Sequence, residues 1–292
     1  VKMPLPCTGG HEVSGEIVAL GDGVNKKMWA PGDRVAVRLL YNCGECYYCR
    51  TGHANLCERA QKKPVREGLL IGPGGLCDYV IVNTGYLFKI PDTLSYEEAS
   101  LTEPLACVVH SVTKANIQLG EDVVVIGGGI MGQYHVMLAK RRGARVIMSE
   151  VDESRRALAR KLGADITFNP MEKDPVEYVK SLTEGRGADV VFNTTAIPSV
   201  VPQAIAMTGK AGRMIQYSSM HPDAPAPVSP QMLHGNEPIL TGSISPDVHD
   251  FFTANRLLSG GIIDCKPLIA KKFPFEQAQQ AFEAAIVPGT FR

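Results

Sequence analysis

The sequence of 292 residues predicts an all-β region followed by an α/β region with a doubly wound parallel sheet. Three observations support this fold class. Up to about residue 107, short apolar runs are separated by glycine and proline, whereas from about residue 108 apolar runs alternate with helical patterns. A glycine-rich turn at 127–132 also joins an apolar run to a helical pattern. We therefore expect two domains, because the chain is long enough for a core in each.

The all-β region is predicted from short apolar runs with turn residues between them. The three clearest predicted strands are 15–20, 33–37 and 78–82. Strands of this length, spaced by glycine and proline, are typical of a compact all-β fold and not of alternating strands and helices.

The α/β region is predicted from strands that are connected by helical stretches, which favours a parallel sheet. The predicted strands are 123–126, 145–149, 166–168, 190–192 and 213–217. Asp174 and Pro175 predict the N-cap and the first residue of a helix that runs through residue 182. We also predict a loop at the proline-rich stretch 221–230 and helices at 247–259 and 276–286.

The turn at 127–132 has the spacing Gly-x-Gly-x-x-Gly between a strand and a helix, which is the opening of a Rossmann unit. Glu150 follows at the end of the next predicted strand, about 20 residues further on, as this dinucleotide fingerprint requires. A carboxylate at that place binds the ribose hydroxyls and repels a 2′-phosphate, so NAD is favoured over NADP. Arg155 is close in sequence and is either a phosphate-binding cation or a solvated residue of the helix surface.

Four cysteines, Cys43, Cys46, Cys49 and Cys57, follow one another with two, two and seven residues between them. Thiolates at this spacing can close one tetrahedral zinc shell, and a closed shell of this kind is structural. A ferredoxin-type iron–sulfur site would favour a short last gap followed by proline, but Glu58 follows Cys57. Disulfides fit poorly with a chain whose other features are those of a cytosolic enzyme.

A second cluster of metal-binding residue types lies upstream, where His11 and Glu12 stand between glycines at positions 10, 15 and 21. Together with the cysteine run, this motif resembles the zinc-containing medium-chain alcohol dehydrogenases, and most closely their polyol and threonine dehydrogenase branch. The resemblance implies that His11 is a catalytic-zinc ligand and that Glu12 is a direct or alternating ligand. Outside such a motif, a His-Glu pair is more often surface polarity or a buried hydrogen-bonded pair.

The resemblance also implies the domain organisation. A Rossmann dinucleotide-binding domain is expected at 108–245, and a GroES-like, β-rich catalytic domain at 1–107 and 246–292. The expected cofactors are one structural zinc ion, one catalytic zinc ion and NAD. The expected cofactor-binding residues are Gly127, Gly129, Ile130, Met131, Gly132, Glu150, Arg155, Thr194, Ser243 and Ile244.

Glu103 begins the sequence Glu-Pro-Leu-Ala-Cys-Val-Val-His, which resembles a segment of the polyol dehydrogenases. In that branch the glutamate reaches the catalytic zinc directly or through water, whereas simple alcohol dehydrogenases carry a cysteine at this point. An oxygen ligand leaves the metal more Lewis-acidic than a thiolate does. Alternatively, Glu103 is a first-turn acid that stabilises the dipole of the following helix.

In the family, a further zinc ligand comes from a Cys-Gly-x-Asp segment that precedes the motif at 10–12. Because only nine residues stand before Gly10, we expect that cysteine and the proton relay to lie on a segment before residue 1. By the same resemblance, the last strand of the catalytic domain is expected to lie beyond residue 292.

The composition argues against several function classes. Thirty basic residues balance thirty acidic ones, so neither nucleic acid nor a membrane surface is an expected partner. No apolar run approaches the roughly 18 residues of a spanning helix, and the start of the chain lacks the pattern of a signal peptide. We expect a cytoplasmic protein, and the resemblance implies a homodimer or homotetramer.

The leading functional prediction is a zinc-dependent and NAD-dependent dehydrogenase of a secondary alcohol. The expected substrate is a polyol, a sugar alcohol or a threonine-like hydroxy-amino acid. One alternative is a simple alcohol dehydrogenase, against which the glutamate at position 103 argues. The other is a non-catalytic NAD-binding relative, for which His11, Glu12 and the cysteine run would be unnecessary.

Overall fold

The structure is a computed structural model that describes residues 6–60, 72–287 and 291. It divides into two compact units. The first unit comprises Val1–Val109 and Ser245–Ile269, and the second comprises His110–Ile244 and Ala270–Arg292. The sequence assigned all of 246–292 to the catalytic domain, whereas the structure groups the residues after Ile269 with the second unit. One contact that ties this tail to the second unit is that of Phe291, whose ring centre lies 6.0 Å from the guanidinium carbon of Arg155.

The described residues form short strands and helices, several of which are joined by single turns of 3-10 helix. The strands are β1 (Glu12–Glu16), β2 (Arg34–Arg38), β3 (Leu87–Lys89), β4 (Asp122–Ile126), β5 (Arg145–Ser149), β6 (Ile166–Phe168), β7 (Ala188–Asn193), β8 (Thr208–Gln216) and β9 (Ile239–Gly242). The helices are α1 (Tyr47–Arg50), α2 (Tyr96–Ser100), α3 (Thr102–Ala115), α4 (Ile130–Arg141), α5 (Glu153–Leu162), α6 (Pro175–Leu182), α7 (Val200–Met207), α8 (Pro230–Asn236), α9 (Val248–Ser259) and α10 (Ala278–Ala285).

The first unit contains an antiparallel sheet of order β1-β2-β3. Side chains of β2 and its neighbours form a small apolar core, whose buried members are Ile17, Val35, Val37 and Leu39. The strand predicted at 33–37 therefore corresponds closely to β2, but the first strand begins and ends earlier than the predicted 15–20.

The strand predicted at 78–82 is wrong for this structure, because these residues form no strand. The side chains of Tyr79 and Ile81 are 76% and 70% exposed. A strand requires a backbone partner and a covered face, and neither is encoded by the β-forming residue types of the segment alone.

The second unit contains a parallel sheet of order β6-β5-β4-β7-β8-β9. The chain fills one half of the sheet outward from β4 and then returns to build the other half from β7, as in a doubly wound Rossmann sheet. Ligands of such sheets bind beyond the carboxyl ends of the strands where the order reverses, here β4 and β7. The predicted α/β fold and the five predicted strands are confirmed, with β9 added at the edge.

The predicted helices are confirmed with small changes at their ends. The helix after Asp174 is α6, and the pattern at 247–259 corresponds to α9. The pattern at 276–286 begins as a 3-10 turn and continues as α10. The predicted loop at 221–230 is irregular until Ser229, and its last proline is the first residue of α8. No helix in the described part of the chain is long and apolar enough to cross a membrane.

Replacing Asp174 with alanine is expected to lower the free energy of unfolding by about 1 kcal/mol, as for other lost N-caps. The carboxylate accepts hydrogen bonds from the backbone N–H groups of Val176 and Glu177, at 3.0 and 2.9 Å, at the start of α6. Asp174→Asn keeps an acceptor oxygen and serves as the control. Urea denaturation of the three proteins measures the effect, and an Asn variant as unstable as the Ala variant would contradict the capping explanation.

Candidate functional site

The four cysteines of the run lie together in the first unit, on and around α1. Their sulfur atoms all lie within 4.8 Å of one another. The Cys43–Cys49 and Cys46–Cys57 sulfur pairs are each 4.0 Å apart. Sulfur atoms on a tetrahedral zinc ion with Zn–S bonds of about 2.3 Å are separated by about 3.8 Å, so the cluster matches such a shell without rearrangement. All four are free thiols, which excludes a disulfide among them.

Backbone N–H groups point at these sulfur atoms and stabilise their thiolate forms. The N–H of Cys43 donates to Cys57 Sγ at 3.3 Å, and the N–H of Cys46 donates to Cys43 Sγ at 3.4 Å. The backbone N–H groups of Cys49 and Glu58 lower the pKa of Cys46 to about 6. Burial instead raises the pKa of Cys49 to about 12. A divalent cation among the four sulfur atoms would favour the thiolate form of all of them.

A second group of metal-binding side chains is formed by His11, Glu12 and Glu103. Their ligand atoms lie within 4.8 Å of one another, and His11 Nε2 is 3.9 Å from Glu103 Oε2. His11 directly precedes β1 and Glu12 begins it, whereas Glu103 lies in the first turn of α3. The side chain of Glu103 is 5% exposed and that of His11 is 48% exposed. One nitrogen and two carboxylates are suitable zinc ligands, and the exposed imidazole side leaves the group open to a small molecule.

The turn before His11 requires glycine at position 10. Gly10 has a φ of +82°, and a β-carbon there would lie 2.9 Å from the backbone nitrogen of Leu76. Any other residue would both strain the backbone and push away the neighbouring loop. This close approach fixes the direction in which the His11–Glu12 pair leaves the turn.

Cys107, for which the sequence predicted no role, contacts the second metal-binding group. Its Sγ lies 3.4 Å from Glu103 Oε1, one helical turn along α3, and the thiol donates to the carboxylate. Burial, followed by the negative charge of Glu103, raises the pKa of Cys107 far above its usual value, so this thiol keeps its proton. The spacing of four residues on one helix was the signal that could have identified this contact.

The glycine-rich turn lies at the carboxyl end of β4, where the second sheet reverses its order. Gly127 has a φ of +97°, and a β-carbon on Gly132 would overlap the carbonyl oxygen of Gly127. Gly129 is the N-cap of α4 and offers no side-chain acceptor to the N–H groups of the first turn. These N–H groups, which include those of the half-buried Ile130 and Met131, are therefore suited to bind a pyrophosphate.

Glu150 lies at the end of β5, beside this turn, and its side chain is 6% exposed. Its carboxylate accepts hydrogen bonds from the backbone N–H groups of Gly128, at 2.5 Å, and Asp152, at 2.9 Å. Arg155 Nη1 lies 4.0 Å from Glu150 Oε2, and the side chain of Arg155 is 23% exposed. The arginine therefore belongs to the surroundings of the acidic residue and is not a fully solvated helix residue.

The three other expected cofactor residues lie near the carboxyl ends of strands in the same sheet. Thr194 Oγ1 donates to the carbonyl oxygen of Ile126 at 2.8 Å and so ties the end of β7 to the end of β4. Ser243 directly follows β9, and its Oγ is buried without a hydrogen-bond partner among the described residues. Such a hydroxyl is suited to a ligand that supplies the missing partner. Ile244 is 63% exposed.

Comparisons with known proteins identify both parts of the chain. Residues 1–92 match the alcohol dehydrogenase GroES-like domain, and residues 131–260 match the zinc-binding dehydrogenase family. D-arabitol-phosphate dehydrogenase of Enterococcus avium is 34% identical over 283 residues, which cover 95% of this chain and 78% of the relative. L-threonine 3-dehydrogenase of Caldanaerobacter subterraneus subsp. tengcongensis is 33% identical over 292 residues, covering 98% and 80% respectively.

A solved structure supports the same relationship. A protein from Sinorhizobium meliloti 1021, described as a zinc-binding dehydrogenase and bound to NADP, has a TM-score of 0.89 and 29% sequence identity. The match covers 99% of this chain and 83% of that protein. From these matches, together with the cysteine cluster and the glycine-rich turn, the chain belongs to the zinc-containing medium-chain alcohol dehydrogenases, in their polyol and threonine dehydrogenase branch.

Proposed function

We propose that this protein oxidises a secondary alcohol with NAD, with a catalytic zinc held by His11, Glu12 and Glu103 and a structural zinc held by the cysteine cluster. Membership of the family makes the protein a zinc-dependent alcohol oxidoreductase of the polyol or threonine type. The observation that supports two different zinc sites is that one imidazole and two carboxylates converge within 4.8 Å, in a group separate from the four thiols.

The chemistry of the two donor sets supports different roles for the two metals. Four thiolates complete a zinc shell and leave no position for a substrate. In the mixed set, one position stays open beside the cysteine expected before residue 1 when Glu12 is an alternating ligand. Zinc bound there would polarise the substrate oxygen and lower the pKa of its hydroxyl. Glu103 is kept in place for this task by its helix and by the thiol of Cys107. The half-exposed His11 leaves room for the substrate beside the metal.

The dinucleotide assignment rests on the second unit. The glycine-rich turn would let a pyrophosphate approach the backbone, and the carboxylate of Glu150, beside this turn, is suited to bind the ribose hydroxyls of an adenosine. Negative charge at that place opposes a 2′-phosphate, which supports NAD. Arg155 opposes this preference for NAD, since its positive charge lies 4.0 Å from the same carboxylate.

The substrate class is supported by the relatives and by Glu103. One relative acts on a sugar-alcohol phosphate and another on threonine, and both names describe oxidation of an alcohol carbon. We therefore propose a polyol, a sugar alcohol or a threonine-like hydroxy-amino acid. The glutamate at 103 also argues against a simple alcohol dehydrogenase. A homodimer or homotetramer, a cytoplasmic location and the absence of nucleic-acid and membrane partners stay predictions.

Two measurements test the proposed function. Zinc counting on the purified full chain is expected to give two ions per subunit. A panel of polyols, sugar alcohols and threonine, followed by NADH absorbance, is expected to show turnover. One zinc per subunit with intact NAD binding and no turnover would instead favour the non-catalytic relative.

Cys46→Ser is expected to remove one zinc ion and to lower the thermal midpoint by about 5 °C or more, because a closed shell supports folding. Turnover per folded subunit should change much less. Cys77→Ser replaces an exposed cysteine outside the cluster and is the matched control. Loss of the zinc with an unchanged midpoint would rule out the structural assignment.

Glu150→Ser is expected to weaken NAD binding and to strengthen NADP binding, which should change the ratio of the two dissociation constants by about tenfold or more. Glu153→Ser removes a more exposed carboxylate from the same region and should leave this ratio unchanged. Titration with both nucleotides measures the effect. Equal affinities of the unaltered protein for NAD and NADP would show that Arg155 outweighs the carboxylate.

Glu103→Ala is expected to reduce turnover by about 100-fold, since losses of metal ligands and their partners have effects of this order or more. The dissociation constant of NAD should be nearly unchanged, because the proposed dinucleotide residues lie in the second unit. Glu16→Ala removes an exposed carboxylate from β1 and controls for charge. An alanine variant with normal turnover would exclude Glu103 from the catalytic metal site.

A further inference from the structure

Arg38 is a fully buried cation beside the second metal-binding group. It is the last residue of β2, and its side chain is among the largest that are fully buried, with an exposure of 1%. In the antiparallel register of β1 and β2, it stands directly opposite Glu12. Directly opposed residues of an antiparallel pair place their side chains on the same face of the sheet. The guanidinium and the Glu12 carboxylate therefore leave the sheet on the same side.

Hydrogen bonds to uncharged acceptors hold the guanidinium in place. Nη1 donates to the carbonyl oxygen of Leu40 at 2.6 Å and to Asn42 Oδ1 at 3.1 Å. Nη2 donates to the carbonyl oxygen of Pro246 at 3.4 Å. The Nε is buried without a hydrogen-bond partner among the described residues. These neutral partners fix the position of the positive charge but do not cancel it.

Several acidic groups face this charge from other elements of the first unit. Burial lowers the pKa of Arg38, and the nearby ionisable side chains of Tyr86, Asp247, Glu103 and Asp250 act in the opposite direction. Tyr86 also lies under the guanidinium, with its ring centre 5.5 Å from the guanidinium carbon. Arginine has so high an ordinary pKa that it stays protonated even when buried. Arg38 thus places a permanent positive charge near the carboxylates of the candidate metal site and those at the start of α9.

We propose that Arg38 is a positioning residue whose buried charge competes with the metal for the carboxylates of Glu12 and Glu103, and so weakens zinc binding and keeps the bound metal electrophilic. This inference rests on the proposed metal site. A cation close to carboxylate ligands interacts favourably with their negative charge, and this weakens the attraction between the carboxylates and the metal. Asp250, on the α9 side, offsets part of the arginine's charge.

The test is competition between the full-length protein and a zinc chelator, with the cysteine-bound zinc as an internal reference. Arg38→Gln removes the charge and is expected to bind the zinc of the His11 site about tenfold more tightly, an effect of the size seen for other neighbours of metal ligands. Its turnover should fall. Arg38→Lys keeps the charge and should bind this zinc within about twofold of the unaltered protein, an expectation from charge conservation.

A second variant is expected to change the zinc affinity in the opposite direction, and it tests the inference if Arg38→Gln does not fold. Asp250 Oδ2 accepts a hydrogen bond from the N–H of Asp247 at 2.9 Å, and Asp250→Asn keeps this acceptor while removing the charge. The substitution removes a negative charge that offsets part of the positive charge of Arg38, so zinc binding at the His11 site should weaken. Unchanged or tighter binding in Asp250→Asn would overturn the inference, as would unchanged or weaker binding in a folded Arg38→Gln. An unaltered protein that holds only the cysteine-bound zinc would instead overturn the proposed function.

Discussion

Side chains that can carry negative charge are packed closely at two places in the first unit, and this arrangement favours a cation at each. Four thiols lie within 4.8 Å of one another, and two carboxylates and an imidazole do the same elsewhere. Thiolates or carboxylates at such distances repel one another when they are ionised. In the part of the chain that the structure describes, the antiparallel sheet of this unit has three short strands. A small apolar core leaves its loops dependent on such local interactions, so the cysteine cluster is where a bound ion would contribute most to folding.

The two candidate metal-binding groups differ in which neighbours stabilise the negative charge of their side chains. In the cysteine cluster, backbone N–H groups approach the sulfur atoms, and four sulfur donors would fill a zinc shell without water. At the His11 group, the neighbours are side chains: the thiol of Cys107, on the same helix as Glu103, and the buried guanidinium of Arg38, opposite Glu12. A group with mixed nitrogen and oxygen donors is better suited to reaction than to scaffolding, since it can leave a position open for a ligand.

In the second unit, the candidate dinucleotide site depends mainly on backbone geometry. Its parallel sheet reverses its order between β4 and β7, and Thr194 joins the carboxyl ends of the two strands. The glycine-rich turn at this point leaves no room for a side chain on Gly132. A turn without side chains can also come close to a phosphate, which is why its backbone forms the candidate pyrophosphate site while the carboxylate of Glu150 beside it is the candidate ribose ligand.

The sequence by itself determined the features that depend on local pattern. The glycine-rich turn and the alternating strands and helices predicted the fold class, and the cysteine run with the His-Glu motif carried the resemblance to the family. Tertiary structure decided the rest. The segment 78–82 has the residue types of a strand but forms none, because pairing depends on a partner elsewhere in the chain. The contact of Cys107 with Glu103, and the position of Arg38 opposite Glu12, follow from packing and register, which no local pattern encodes.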